Sequence, residues 1–180
     1  FGQFELGQVE ALAVATSGEV WLVASRNTYS LAARDSGTVF DAFEDAFGTE
    51  VLAATADGAI WFGFELGLAR YSSNSDWSDW TIADPLPSGE VRAISADGGD
   101  VWIATPAGAV SRNATGGFKS WQADAGAWHD FFYDMAIGPD GSVWHATGDG
   151  LITVRPDGEL VAHHLDAALP VSYVAAVGLD

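Results

Sequence analysis

Histidines and acidic residues are the first candidates in this sequence for supporting a reaction, and the chain contains no cysteine. The absence of cysteine excludes a disulfide framework, a thiolate nucleophile and a cysteine-ligated zinc site. Among the 4 histidines, His145 follows a tryptophan in the stretch "GPDGSVWHATGDG". A catalytic role for His145 would need a second group, and Asp149 is the nearest acid along the chain that could supply it.

The other chemical patterns in the sequence are weak. His163 and His164 are neighbours on a predicted outer strand, so their side chains point to opposite faces and cannot bind one metal ion together. No spacing of serine, histidine and acid indicates a hydrolase, and no glycine-rich phosphate loop is present. We therefore expect no metal and no cofactor.

Four stretches of the chain repeat a single pattern: "ALAVATSGEVWLVAS", "VLAATADGAIWFGFE", "VRAISADGGDVWIAT" and "DMAIGPDGSVWHATG". Their tryptophans, at positions 21, 61, 102 and 144, are 40, 41 and 42 residues apart. This period, with several short strands in each unit, predicts an all-β β-propeller in which each repeat forms one four-stranded blade. The repeats cover approximately residues 9–49, 50–90, 91–132 and 133–173 of a single propeller domain or segment spanning 1–180.

Each unit begins with a small apolar strand, as expected for the crowded axis of a propeller. A tight turn follows, in which Asp57, Asp97 and Asp140 bond backbone amides and a glycine accepts a positive φ. The tryptophan then stands on the second strand and fills the gap between neighbouring blades. His145 has the strand parity of the apolar residue Ile103, so we expect it to be buried as a packing residue.

The two ends of the sequence align with parts of a blade. Residues 1–6, "FGQFEL", align with outer strands, and residues 174–180, "VAAVGLD", align with an inner strand of a fifth unit. We therefore expect four complete blades plus partial blades at both ends, and favour a piece of a larger ring over a closed four-bladed ring.

The stretch "GLARYSSNSDWSDWTIADPLPSGEVRAISADGGDVWIATPAGAVSR" resembles the two-component regulator propeller repeat, which carries a Gly-Leu, a Trp-bearing outer strand, a Leu-Pro segment and a Leu-Trp-Ile-Gly-Thr strand. The resemblance covers nearly the whole chain and is weaker in the first unit. It implies a propeller from the extracytoplasmic sensor region of a histidine kinase, or a secreted or periplasmic binding protein, and no chemistry of its own. The fourth unit also resembles streptogramin-lyase-type propellers in its Pro-Asp-Gly-x-x-Trp turn, but their Trp-Phe-Thr-Glu continuation is absent and no catalytic residue is carried over.

The segment "AGAWHDFFYD", residues 125–134, departs from its counterparts in the other units. It connects an outer strand to the next inner strand, on the same propeller face as the loops between second and third strands. Exposed loop residues on a rigid scaffold often bind ligands, although residues 131–133 could instead staple the loop to the ring. The ligand- or partner-binding candidates are Trp128, His129, Asp130, Arg26, Glu65 and Asp149.

Composition limits the partners. A formal charge of −18 repels nucleic acid, and no apolar run approaches a membrane span. The inner strands offer mainly Ala, Ile and Val, so an axial calcium site is not expected. We predict a non-catalytic extracytoplasmic propeller, periplasmic or secreted, that senses a small ligand or binds a protein as a scaffold or accessory subunit. The alternative is a lyase or hydrolase with a site on the loop face or in the central channel.

Overall fold

The chain folds into four separate sheets that follow one another in sequence. The computed structural model describes residues 8–24, 27–34, 37–43, 49–72, 76–81, 86–97, 99–121, 132–148, 150–164 and 173–178. Over these residues the chain forms four 4-stranded sheets, and every pair of neighbouring strands in a sheet is antiparallel. No helix occurs in this part of the chain, so the predicted all-β class is confirmed.

The strands of each sheet are consecutive in the chain. The first sheet contains β1 (Val9–Val14), β2 (Val20–Ala24), β3 (Asn27–Arg34) and β4 (Gly37–Phe43). The second contains β5 (Thr49–Ala54), β6 (Ile60–Phe64), β7 (Gly67–Tyr71) and β8 (Trp77–Thr81). The third contains β9 (Ala93–Asp97), β10 (Asp100–Thr105), β11 (Gly108–Arg112) and β12 (Phe118–Trp121). The fourth contains β13 (Phe132–Ile137), β14 (Val143–Thr147), β15 (Gly150–Val154) and β16 (Leu160–His164). The first strands β1, β5, β9 and β13 contact one another in this order, which makes the sheets successive blades around one axis.

A single type of turn reverses the chain between the first two strands of a blade. In the second blade the amide of Gly58 donates to the carbonyl of Thr55 and the amide of Thr55 donates to Ala59, both at 2.9 Å. Gly58 has a φ of 80°, a left-handed conformation that glycine adopts without steric cost. Asp57 Oδ1 accepts a hydrogen bond of 3.1 Å from the amide of Ala59. The predicted turn-building role of Asp57 is therefore confirmed.

The same turn recurs in the fourth blade. Asp140 Oδ1 accepts a hydrogen bond of 3.0 Å from the amide of Ser142 and a second one from its hydroxyl. Gly141 has a φ of 78°. Asp97 is exposed at the end of β9, and Gly98 after it lies outside the described residues.

The second-strand tryptophans of the first three blades lie between neighbouring blades, as predicted. The Trp21 ring packs edge-on against Phe62 of the second blade, with centroids 5.8 Å apart and an interplanar angle of 68°. Trp61 is fully buried in a cluster that includes Val91 and Ile103 of the third blade. Trp102 packs half-buried against the cluster that contains Met135 of the fourth. These contacts join each blade to the next through apolar burial.

Rings on the outer strands cover the tryptophans of the last two blades. Trp121 stacks on Trp102 with centroids 4.7 Å apart, and His163 stacks on Trp144 at 5.3 Å. Both outer residues pair in register with equivalent positions of the third strand. His163 also lies 2.9 Å from the Thr153 hydroxyl through Nε2. His163 is exposed, as expected for an outer strand, and it also has a packing role that the sequence did not indicate.

Residues 173–178 contain no strand, but they begin along the path of a further inner strand. The amide of Val174 donates a hydrogen bond of 3.1 Å to the carbonyl of Thr147 at the end of β14. The amide of Val91 makes the same bond, at 2.9 Å, to the carbonyl of Phe64 at the end of β6. Val174 therefore occupies the position that Val91 has at the start of the third unit, in agreement with the predicted partial blade. Residues 1–7 lie outside the described residues.

Candidate functional site

The blades have two ends, which differ in their connections. The loop face contains the turns between second and third strands and the ends of the connections between blades. The turn face contains the turns between first and second strands, such as Asp57-Gly58 and Asp140-Gly141. The sequence predicts its binding candidates on the loop face.

The turns of the loop face are short and internally bonded. The buried hydroxyl of Thr105 donates to the carbonyl of Gly108 at 2.8 Å, and that of Thr147 donates to Gly150 at 3.0 Å. The turns of the third and fourth blades thus each have a side-chain clamp, in addition to the strand pairing on either side. The second-blade turn that carries Glu65 has Phe64 at the clamp position.

Glu65 is the one predicted binding residue that the structure describes. It is exposed in the turn between β6 and β7, beside Leu66, which is 70% exposed. The structure therefore places Glu65 on the loop face and accessible to a partner. The remaining candidates lie outside the described residues: Trp128, His129, Asp130, Arg26 and Asp149.

The two ends of the connection that carries residues 128–130 are described. Trp121, the last residue of β12, pairs with Ala109 beside the turn of the third blade. Phe132, the first residue of β13, pairs with Thr147 beside the turn of the fourth blade. The connection therefore leaves and re-enters the sheets at the loop face.

An exposed pair of tyrosines at the loop face was missed by the sequence reasoning as a site. Tyr133 is 44% exposed and Tyr173 is 52% exposed, and their ring centroids are 5.4 Å apart. The sequence pattern indicates Tyr133 only as a residue that packs the loop against the sheets, and it indicates no role for Tyr173. The alignment of residue 174 with Val91 was the available signal, because it places residue 173 at the end of the blades that forms the loop face.

Asp134 fixes the segment that carries Tyr173. One carboxylate oxygen, Oδ1, accepts a hydrogen bond of 2.8 Å from the amide of Met135. The other, Oδ2, accepts a hydrogen bond of 3.0 Å from the amide of Val177. Hydrogen bonds to an ionised carboxylate are stronger than neutral ones. Asp134 therefore holds residues 173–178 against β13 and helps to position the tyrosine pair.

His145 is fully buried, as predicted. Its side chain has 0% exposure, and it pairs with Met135 on one side and Ile152 on the other. Burial lowers the pKa of His145 from 6.5 to about 3, because an imidazolium cation is poorly solvated there. A neutral imidazole without contact to solvent is not a general acid or base for a bound substrate near neutral pH.

The carboxylates of Asp57 and Asp140 on the turn face are engaged in hydrogen bonds that stabilise their turns. Burial would raise the pKa of Asp57, but hydrogen bonds from Thr55, Ala59 and Arg70 and the charge of Arg70 outweigh it and lower that pKa. Hydrogen bonds from the Ser142 hydroxyl and amide lower the pKa of Asp140. Over the described ranges no cluster of three or more histidine, aspartate or glutamate side chains could hold a metal ion.

No protein-family model matches the sequence, and no curated protein matches it. The extracellular domain of the hybrid two-component system BT4673 from B. thetaiotaomicron is similar to 96% of this chain, with a TM-score of 0.76 and 20% sequence identity. The fold is that of a β-propeller.

Two further propeller structures are similar at lower identity. Virginiamycin B lyase from Staphylococcus aureus matches 92% of the chain with a TM-score of 0.70 and 15% identity. PorZ, a surface component of the type-IX secretion system of Porphyromonas gingivalis, matches 93% of it with a TM-score of 0.64 and 10% identity. The propeller segment spans 58% of the lyase, 25% of the two-component system domain and 22% of PorZ.

These similarities confirm, at the level of fold, the two resemblances indicated by the sequence. The propeller module is shared with extracellular domains and with lyases, and identities of 10–20% carry the fold and not an activity. Within the described part of the propeller, no helical segment is long and apolar enough to span a membrane.

Proposed function

We propose that this propeller segment is a non-catalytic binding module that works outside the cytoplasm, in the periplasm or after secretion. Its partner is a small ligand or a protein, bound on the loop face. Structural similarity to extracellular domains of two-component systems supports this location and role. The net charge of −18 argues against nucleic acid as the partner.

The exposed tyrosine pair is the observation that carries the proposal. Tyr133 and Tyr173 present aromatic surface at the loop face, and Asp134 accepts a hydrogen bond from the amide of Val177 in the segment that carries Tyr173. Aromatic side chains on a fixed backbone give contact area at low entropic cost and often anchor an interface. The connection with Trp128, His129 and Asp130 re-enters the fourth blade next to Tyr133, so we infer that it contributes to the same surface.

The enzyme alternative has its support in the lyase similarity. The position of His145 argues against a site inside the blades, because that imidazole is fully buried and its pKa is lowered to about 3. A lyase or hydrolase site would have to use other groups, for example His129 on the loop face.

Amide chemical-shift mapping tests the location of the site. The isotope-labelled chain is titrated with a panel of soluble oligosaccharides and short peptides. Shifts should cluster around Glu65, Tyr133 and Tyr173, while the amides around Asp57 and Asp140 on the turn face stay unchanged. Shifts confined to the turn face would contradict the proposal, and chemical conversion of a probe would favour the enzyme alternative.

Truncation of the aromatic residues tests their contribution. For the probe with the largest shifts, Trp128→Ala and Tyr173→Ala should each weaken binding by about 1 to 4 kcal/mol, the range for an interface anchor. The melting temperature should hardly change. Lys119→Ala, an exposed position on an outer strand, is the matched control and should bind normally. A lowered melting temperature with unchanged affinity would show that these rings only staple the loop.

A further inference from the structure

Two arginines depart from the repeat on the turn-face side of the second and third blades. Arg70 pairs across the strands with Trp61, where the other blades place the small hydroxyl residues Ser30, Ser111 and Thr153. Arg112 pairs with Val101, where the other blades place the less polar Leu31, Tyr71 and Val154. At each of the two positions the other three blades have an uncharged residue, so the propeller fold does not require these arginines.

The two departures meet at one tryptophan. The guanidinium of Arg70 lies 5.8 Å from the Trp61 ring centroid, and that of Arg112, from the next blade, lies 5.1 Å from the same ring. Trp61 is fully buried, whereas the Arg70 side chain is 21% exposed and Arg112 is half-buried. The ring thus supports both cations at the blade boundary, with access from solvent.

A single carboxylate faces this pair of positive charges in the described structure. Arg70 Nη2 donates to Asp57 Oδ2 at 2.8 Å. Arg112 is stacked on Trp61 and lies 5.9 Å from the Phe118 centroid, and it forms no hydrogen bond or ion pair with any described residue. Burial, followed by the charge of Arg70, lowers the pKa of Arg112, and Asp57 acts in the opposite direction. The two arginines together therefore keep a net positive charge, and some of their N–H donors form no hydrogen bond with a described residue.

The charge of the whole chain makes this pairing unusual. The sequence has 7 lysines and arginines against 25 acids, so most positions for a cation would have acidic neighbours. Here two of the few cations stand together and repel each other. An added anion would remove that repulsion.

We propose that Arg70 and Arg112 form a binding site for an oxyanion, a carboxylate or sulfate group, at the boundary of the second and third blades. The Nε atoms of both arginines are buried, so the terminal Nη groups of the stacked guanidinium are the donors that bind the oxygens of such a group. Asp57 orients Arg70 and neutralises one of the two positive charges. The net charge that remains on the arginines, about one positive unit, matches a single small anionic group. This site is on the face opposite the tyrosine pair, so it is independent of the proposed function.

Titration of the full chain with sodium sulfate, and separately with sodium acetate, tests the site. Sodium chloride at matched ionic strength is the reference. The Nε–Hε signal of Arg112 should shift and saturate with at least one of the two anions, and not with chloride. The anion that saturates at lower concentration identifies the preferred group. A shift that is absent, or equal in chloride, would overturn the proposal without affecting binding on the loop face.

Substitution of the arginines provides the second measurement. Arg112→Gln should abolish saturation as followed by the Arg70 Nε–Hε signal, and Arg70→Gln should weaken binding on the order of tenfold, as for loss of one charged hydrogen-bonding partner. Arg155→Gln is the control, because Arg155 is exposed and already pairs with Glu159. Equal loss in the control would show non-specific charge screening and refute the site. If a variant is unfolded, the wild-type titration alone decides.

Discussion

Val91 of the third blade packs against Gly63 of the second at a distance that leaves no room for a side chain. A Cβ atom at Gly63 would lie 2.5 Å from Val91 Cγ1 and 2.6 Å from Val51 Cγ2. Val91 is fully buried, and its amide also bonds to the carbonyl of Phe64 at 2.9 Å. The backbones of the two blades therefore approach closely at this point because residue 63 is glycine.

Replacement of Gly63 by alanine should destabilise the propeller. The added methyl group must displace two valine side chains in a packed region, and overpacking of this kind costs about 1 to 3 kcal/mol. Chemical denaturation followed by tryptophan fluorescence measures the change. Gly178→Ala is the control, since nothing lies within 4 Å of a Cβ at Gly178. Equal stability of the two variants would mean that the blades shift apart without cost.

Replacement of His145 by leucine should leave stability at neutral pH unchanged or raise it. The equivalent position is Leu22, Phe62 or Ile103 in the other blades, and leucine removes a desolvated polar ring from an apolar boundary. The free energy of unfolding of both proteins at pH 7 is the measurement. A large loss in the variant would show that the imidazole makes an essential polar contact.

The pH dependence of the same pair of proteins should differ in a defined window. The folded-state pKa of His145 is lowered to about 3 from 6.5. Below pH 6.5 the imidazole therefore binds a proton in the unfolded chain but not in the folded chain. Wild-type stability therefore falls relative to His145→Leu as pH drops from 6.5 towards 3, by at most about 1.4 kcal/mol per pH unit. Titration of the many carboxylates largely cancels in the difference. A constant difference across this window would contradict burial of a neutral imidazole.

Replacement of Leu12 by lysine should reduce self-association of the isolated chain. Leu12 and Val14 are 62% and 57% exposed on one face of β1. The residues equivalent to Leu12 in the second and fourth blades, Leu52 and Met135, are only 8% and 7% exposed, because a preceding blade packs near them. An uncovered apolar strand face of this kind favours association. Light scattering and size-exclusion chromatography measure the effect.

The control for this prediction is Leu66→Lys. Leu66 is 70% exposed at a loop-face turn and does not lie on a blade boundary. Equal suppression of association by Leu66→Lys would show that general surface hydrophobicity, and not the open face of β1, is responsible. A monomeric wild-type chain would contradict the prediction outright.

The sequence by itself determined the blade architecture. The turn at Asp57-Gly58 and the tryptophan at position 61 can be recognised locally, because the turn acts through residues close in sequence and the tryptophan recurs in every unit, with Ser17-Gly18 at the turn of the first unit. Repetition then reinforced each local signal, which is why the strands, the turns and the burial of His145 could be predicted. Of the binding candidates, only Glu65 lies in the described residues; it is exposed on the loop face, and its role in binding stays a prediction.

The tertiary structure alone decided which side chains meet across blades. The contact between Arg112 and Trp61, and that between Tyr133 and Tyr173, join residues about 40 to 50 positions apart. Such contacts depend on the twist and separation of whole sheets, which result from summed apolar packing and not from any local pattern. The stacking of His163 on Trp144 lies within one blade, between its second and fourth strands, and could not be predicted because the outer strand reads as exposed. The turn and strand patterns repeat in the sequence, whereas contacts between side chains of different blades arise only when the sheets pack together.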